Sequence, residues 1–256
     1  MRNGILALFI LSLMSACSIK EDRSVCPCRL YLDFSEVDTS SIGLIHVLAT
    51  ESGKVVFRDI LPAEAFCSEY VREVPHAYIR INIWHGEDGR TDDNDGVVIP
   101  FGCECPPVFM QSFVADTHGE VCHKKVKLHK NYCKLTVKVE GVDENPYCLT
   151  FNGNVDGYDL EGQPSAGDFS CVAYPGGNGN SEALLPRQTD SSLLLDVDDG
   201  VAGVKTFAIG EYIVASGYDW STADLDDITV VLDYCLTYIR ISIKEWDEEY
   251  IYNITL

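Results

Sequence analysis

Basic residues are scarce in this chain. Nineteen Lys and Arg stand against 40 Asp and Glu, a formal net charge of −21 over 256 residues. Phosphate affinity comes from Lys and Arg, so a general nucleic-acid binder is excluded, as is electrostatic docking on anionic membranes. A transmembrane helix needs about 20 consecutive apolar residues; the apolar run at 5–14 stops well short, and no later segment qualifies. Catalytic signatures are missing too. There is no G-x-S-x-G, no P-loop and no H-E-x-x-H, and the six histidines are scattered without a recognisable Ser or Cys partner. The chain is therefore not expected to be an enzyme, and no catalytic residue, cofactor site or metal ligand is assigned. Disorder is excluded by a hydrophobic content of 46%.

What is present starts at the N-terminus. Residues 1–16, MRNGILALFILSLMSA, place one positive charge at Arg2, an apolar run, and then the small residues Ser15 and Ala16. That is the layout of a secretory signal peptide. Cys17 follows directly, and LMSAC looks like a bacterial lipobox, with Met14 where Leu is usual. Cys17 is thus the expected lipidation site, joining the mature chain to the outer membrane through acyl chains worth about 0.8 kcal/mol per buried methylene. Ser18 resembles the outer-membrane sorting preference. Lys20-Glu21-Asp22 looks like the short acidic export signal of Bacteroides-type surface lipoproteins, or is a plain solvated tether, 17–25 in extent.

Two segment pairs recur in order. CRLYLDF (28–34) resembles CKLTVKV (133–139), and YIRINIW (78–84) resembles YIRISIK (238–244), the first pair starting 105 residues apart. Period-2 alternation dominates both, with Ile79, Ile81 and Ile83 on one face and Tyr78, Arg80 and Asn82 on the other. Further strands are expected at 43–50, 55–57, 97–100, 121–128, 147–151, 192–197, 206–209 and 228–234, and one short helix near 62–70. Turn-rich stretches at 86–96, 140–146, 174–181 and 196–200 separate them. Short strands so spaced indicate antiparallel sandwiches, not βαβ units. The reading is all-β, two tandem transthyretin-like or immunoglobulin-like antiparallel β-sandwich domains at 26–130 and 131–256. The first carries 10 basic and 16 acidic residues, the second 6 and 22, so the acidity belongs to the second.

Eleven cysteines suggest an oxidising compartment. Setting Cys17 aside leaves ten, an even number suited to disulfides of undetermined connectivity. In the C-x-C pairs Cys26/Cys28 and Cys103/Cys105, both thiols are expected on one side of a strand. Zinc is the alternative for Cys103, Cys105, His118 and Cys122, although the first pair has one intervening residue where a knuckle has two. Asp92–Gly96 and Asp196–Gly200 read as acidic turns or calcium loops. The EF-hand carboxylate position six residues past each glycine holds Gly102 and Thr206. Trp84, Trp220 and Trp246 read as core residues or as a sugar-stacking platform.

Three stretches, CSIKEDRSVCPCRLYLDFS (17–35), KVKLHKNYCKLTVKVEGV (125–142) and DLDDITVVLDYCLTYIRISI (224–243), resemble the FimB-like minor fimbrial anchor family of Bacteroides-type bacteria. The likeness covers nearly all of the mature chain. It implies two transthyretin-like domains on a lipid anchor, surface-exposed on the outer membrane, holding the base of a pilus by strand-type pairing with fimbrial (pilin) subunits. No catalytic residues carry over from it, and only Cys17 transfers as a site. The cysteine number departs from the family pattern. The rival reading is a surface glycan-binding lipoprotein.

Overall fold

The computed structural model describes residues 26–38, 43–62, 69–85, 96–140, 147–177, 179–200, 203–233, 239–243 and 249–252. Strands β1 (Cys28–Asp33), β2 (Leu44–Glu51), β3 (Lys54–Pro62), β4 (Glu69–Val74), β5 (Tyr78–His85), β6 (Val97–Val98), β7 (Phe109–Asp116), β8 (Val121–Lys125) and β9 (His129–Lys130) form the first half. The second contains β10 (Tyr132–Glu140), β11 (Cys148–Tyr158), β12 (Pro164–Ala173), β13 (Asn180–Pro186), β14 (Leu194–Asp198), β15 (Val204–Phe207), the seven-residue helix α1 (Ile209–Ala215), β16 (Ile228–Asp233), β17 (Ile239–Ile243) and β18 (Glu249–Tyr252). The fold is all-β, two tandem sandwiches, as the alternation implied. Among the described residues no helix is long and apolar enough to cross a membrane.

Each half stacks two sheets. The first has β4-β1-β8 against β3-β2-β5-β7-β9, and the second has β13-β10-β16-β17-β18 against β12-β11-β14-β15. Alternation explains the layering. In β1, Cys28, Leu30 and Leu32 are fully buried while Arg29, Tyr31 and Asp33 point outward. They meet Ile45, Val47, Ile79, Ile81 and Ile83 of the facing sheet in one core. The second core does the same with Leu135, Val137, Phe151, Leu195 and Val230. Each such side chain contributes about 1.5–3 kcal/mol of apolar burial.

The internal repeat is real at the level of pairing. β1 runs antiparallel to β4 and parallel to β8, and β10 runs antiparallel to β13 and parallel to β16. The hairpin β2–β3 with β5 and β7 corresponds to β11–β12 with β14 and β15. The CRLYLDF/CKLTVKV match therefore joins equivalent strands. The YIRI match does not. Tyr78–His85 is an inner strand of its sheet, whereas residues 239–243 form a strand added outside β16, with no counterpart among the described residues of the first half. Alternating Ile with Arg and Ser or Asn satisfies any strand with one buried face, so the two arrived at one pattern from different positions.

Other expectations shift as well. The helix expected near 62–70 falls mostly outside the described residues, and its described ends, Pro62 and Glu69-Tyr70, are strand. Six strands, β4, β7, β9, β12, β13 and β18, were not foreseen, and the one described helix sits instead at Ile209–Ala215.

Candidate interaction surfaces

The two halves are locked by polar chemistry around a small apolar cluster. Leu48, Trp84, Val97, Val108, Met110 and Tyr158 pack together, and β6 leaves the first half to pair with β11 of the second. This forces close approach: at Gly96, with φ +82°, a Cβ would lie 2.1 Å from the Tyr158 carbonyl oxygen. The buried Tyr158 hydroxyl donates to the Asn131 carbonyl and accepts from the Arg187 amide at 3.0 Å. Arg187 then donates from Nε to Asn131 Oδ1 at 3.1 Å, and from its terminal nitrogens to the carbonyls of Trp220, Thr222 (2.7 Å) and Ala223 (3.2 Å). Burial pulls the Arg187 pKa down, though a guanidinium stays charged at any physiological pH. Nearby, Ser112 Oγ donates to the Glu161 carbonyl at 2.6 Å, and Asp224 accepts from the Lys130 amide and faces His129 Nδ1 at 2.9 Å. An open cleft of about 890 Å³ lies over this junction, lined by Gln111, Gln163, Asp190, Tyr218 and Asp219 among others.

The sheets also end in edges. Among the described residues, β4 and β8 bound one sheet, β3 and β9 its partner, β12 and β15 the third, and β13 and β18 the fourth. An edge strand presents backbone N–H and C=O groups to any extended segment that can match them. Several edges carry exposed apolar side chains: Val55 and Ile60 on β3, Val71 on β4, Val121 on β8 and Val204 on β15. The edge of β12 is partly covered by a parallel bridge between Gly102 and Cys171, leaving Phe101 and Tyr174 exposed beside it.

Cys17, Cys67, Cys235, Trp246 and most of the 86–96 turn lie outside the described residues. The eight described cysteines are all free thiols, which corrects the expectation of pairing for them. The register gives the reason for one pair, Cys28 and Cys122. Cys122 stands opposite Leu30, so Cys28 is diagonal to it on the neighbouring strand, about 7–8 Å away, beyond the usual disulfide span. Neither C-x-C pair lies within a strand with both thiols on one face. Cys26 precedes β1 and is exposed while Cys28 is buried, and Cys103 is exposed while Cys105 is buried. The zinc alternative does not assemble: Cys105 belongs to the second core and Cys122 to the first. Among the described residues no three metal-ligating side chains cluster. Asp196 accepts from Asn152 Nδ2 and Thr206 Oγ1, and Asp198 from the Gly200 amide, which is ordinary turn chemistry. Trp84 and Trp220 are buried in separate clusters and present no platform.

Burial pushes the Cys133 and Cys171 thiols up to about 12, and Cys105 higher still, so few of them ionise at neutral pH. Alkylation of the native protein without reductant should label Cys26 and Cys103 fast and the buried thiols at least about a hundredfold more slowly. In denaturant all eight should react. Peptide mass mapping reads this directly, and a denatured protein in which these eight resist labelling would contradict it.

Arg187 and the inner face of β8 were not foreseen as functional. A usable signal existed for the first: it is one of only six basic residues in 131–256.

No family model and no curated protein matches the chain. Solved structures do. A candidate polysaccharide-binding protein from Bacteroides thetaiotaomicron superposes with TM-score 0.63 at 12% identity, covering 89% of this chain and 98% of that one. The fimbrial anchor protein Mfa2 from Porphyromonas gingivalis superposes with TM-score 0.58 at 14% identity, over 86% and 98%. A candidate adhesin from Bacteroides ovatus gives 0.57 at 12%, over 90% and 96%. At such identities the likeness establishes the fold, across nearly the whole length of each chain.

Proposed function

We propose that this chain is an outer-membrane lipoprotein that holds the base of a fimbria, pairing a sheet edge with a strand of a fimbrial subunit. One observation carries the reading: the tandem sandwich fold of a fimbrial anchor protein extends over 86% of this chain, behind a leader that ends in an acylatable cysteine. In this reading 1–16 is the signal peptide, 17–25 the lipidated tether, and 26–130 and 131–256 the two domains. Lipid supplies the membrane hold and a sandwich edge supplies the polymer contact, through main-chain bonds and alternate buried side chains. No reaction is asked of the protein, and its whole task is affinity and mechanical continuity. The burial of Trp84 and Trp220 takes two of the three tryptophans out of the platform on which the glycan-binding alternative rests, and Trp246 lies outside the described residues.

The test is genetic. In a strain lacking the gene, pilin synthesis should continue while pili appear in the medium or grow to abnormal length, and the wild-type gene should restore retention. Unchanged retention in a strain without a redundant homologue would overturn the anchor reading.

A further inference from the structure

The repeated halves finish differently. In the second, β17 covers the outer edge of β16 in antiparallel register, with Ile243 opposite Ile228, Ile241 opposite Val230 and Ile239 opposite Leu232. In the first, nothing among the described residues pairs with the outer edge of the equivalent strand, β8. The bonds from the Arg29 amide to the Glu120 carbonyl (2.9 Å) and from the Val126 amide to the Asp33 carbonyl (2.8 Å) bracket β8. Even-numbered residues therefore bond to β1, and the N–H and C=O groups of Val121, His123 and Lys125 face the open side.

Register makes the comparison residue by residue. Leu30 and Leu32 of β1 face Cys122 and Lys124, and Leu135 and Val137 of β10 face Ile228 and Val230. Laying CRLYLD on CKLTVK thus equates Cys122 with Ile228, Lys124 with Val230 and, one step on, Val126 with Leu232. Five of these six side chains are buried. The exception is Lys124, half-buried where its counterpart Val230 is fully enclosed. Its neighbours Val121, His123 and Lys125 are exposed, and His123 stacks on the outer face against Tyr31, so alternation puts Lys124 on the core side. Among the described residues it makes no salt bridge, and the carboxylate of Asp116, which it helps to hold low, is bonded to His118.

An inward-facing lysine on an open edge deters indiscriminate pairing. An apolar strand laid there would bury an ammonium without a partner. A strand that brings a carboxylate opposite removes that cost. Taking the fimbrial reading above as its premise, we infer that the outer edge of β8 receives an antiparallel strand of a fimbrial subunit whose inward residues read apolar, acidic, apolar, the acid against Lys124. The chain's own β17 shows the pattern that fits this position when the lysine is a valine.

Two labelled peptides test the inference against the full chain in detergent: TYIRISIK, residues 237–244 of this protein, and the same peptide with Ile241→Glu. The acidic peptide should bind roughly tenfold more tightly. Lys124→Glu should reverse the preference toward an Ile241→Lys peptide, and Lys124→Gln, a milder change that leaves the core-side contacts, should abolish it. Equal binding of the two peptides, or an acid preference that survives Lys124→Gln, would overturn the proposal. A Lys124-dependent dimer of the chain would also overturn it by making a second copy the occupant. In cells, Lys124→Glu should shed pili while the protein stays in the outer membrane. Retention by Lys124→Glu in a strain whose deletion sheds pili would refute this edge and leave the anchor reading intact, whereas a deletion that sheds nothing would refute the anchor reading itself.

Discussion

Cys17→Ala should move the protein from the membrane fraction to the soluble fraction almost completely. Each buried acyl methylene contributes about 0.8 kcal/mol, so the chains of a diacylated, N-acylated cysteine hold far more strongly than one myristoyl group, whose binding is marginal. The formal charge of −21 repels anionic headgroups, and among the described residues no helix is long and apolar enough to span a bilayer. The variant should fold, because the first core begins at Cys28, eleven residues further on. Intact mass on the wild type should show the acyl addition, and fractionation of the variant should show its loss. In the deletion strain the variant should accumulate without restoring pilus retention, since the polymer contact is no longer tied to the membrane. A variant that remains membrane-bound, together with a wild type lacking acyl mass, would sink the assignment.

Which features could be read from sequence follows from where their determinants lie. The sandwich class was legible because period-2 alternation is local: Leu30 and Leu32 or Leu135 and Val137 announce a half-buried strand within seven residues. Strands such as Pro164–Ala173 escaped because Gly167 and a polar start break the alternation, and only pairing with β11 makes them regular. Gly167 is itself a product of that pairing, for a Cβ there would run into the Asp156 carboxylate at about 2.0 Å. The repeat was half legible. The cysteine-led strand marks an equivalent position in both halves, but YIRI marks strands at different places in their sheets. Cysteine fate was not legible, because pairing depends on Cα separations that a one-residue change of register alters. Lys124 was invisible for a related reason, and Arg187 stood out only as a scarce charge. A lysine in KKVKLHK looks like a solvated run until the register sets it beside Leu32, and Arg187 matters only because three carbonyls from 220–223 close around it.

That closure yields the remaining expectation, a large loss of stability in Arg187→Met. Methionine preserves most of the side-chain volume but removes the donors that serve the carbonyls of Trp220, Thr222 and Ala223 and the Asn131 side chain. Hydrogen bonds from a charged donor contribute about 1.5–3 kcal/mol each when isolated. The outermost acceptors can turn to water, so the net cost should be about 3 kcal/mol, a fall in melting temperature of roughly 10 °C for a chain of this size. Arg187→Lys should recover less than half, since one ammonium cannot reproduce a planar fork reaching Asn131 and the 220–223 segment together. The loss should reach the junction, because Asn131, which Arg187 and Tyr158 hold, donates its amide to the Val108 carbonyl of the first half, and Tyr158 packs there against Leu48, Trp84 and Met110. Calorimetry should accordingly show the wild type melting in one transition and Arg187→Met in two, as the halves cease to support one another. A single transition within about 2 °C of the wild type would mean that the apolar cluster of Trp84, Met110 and Tyr158 carries the junction alone.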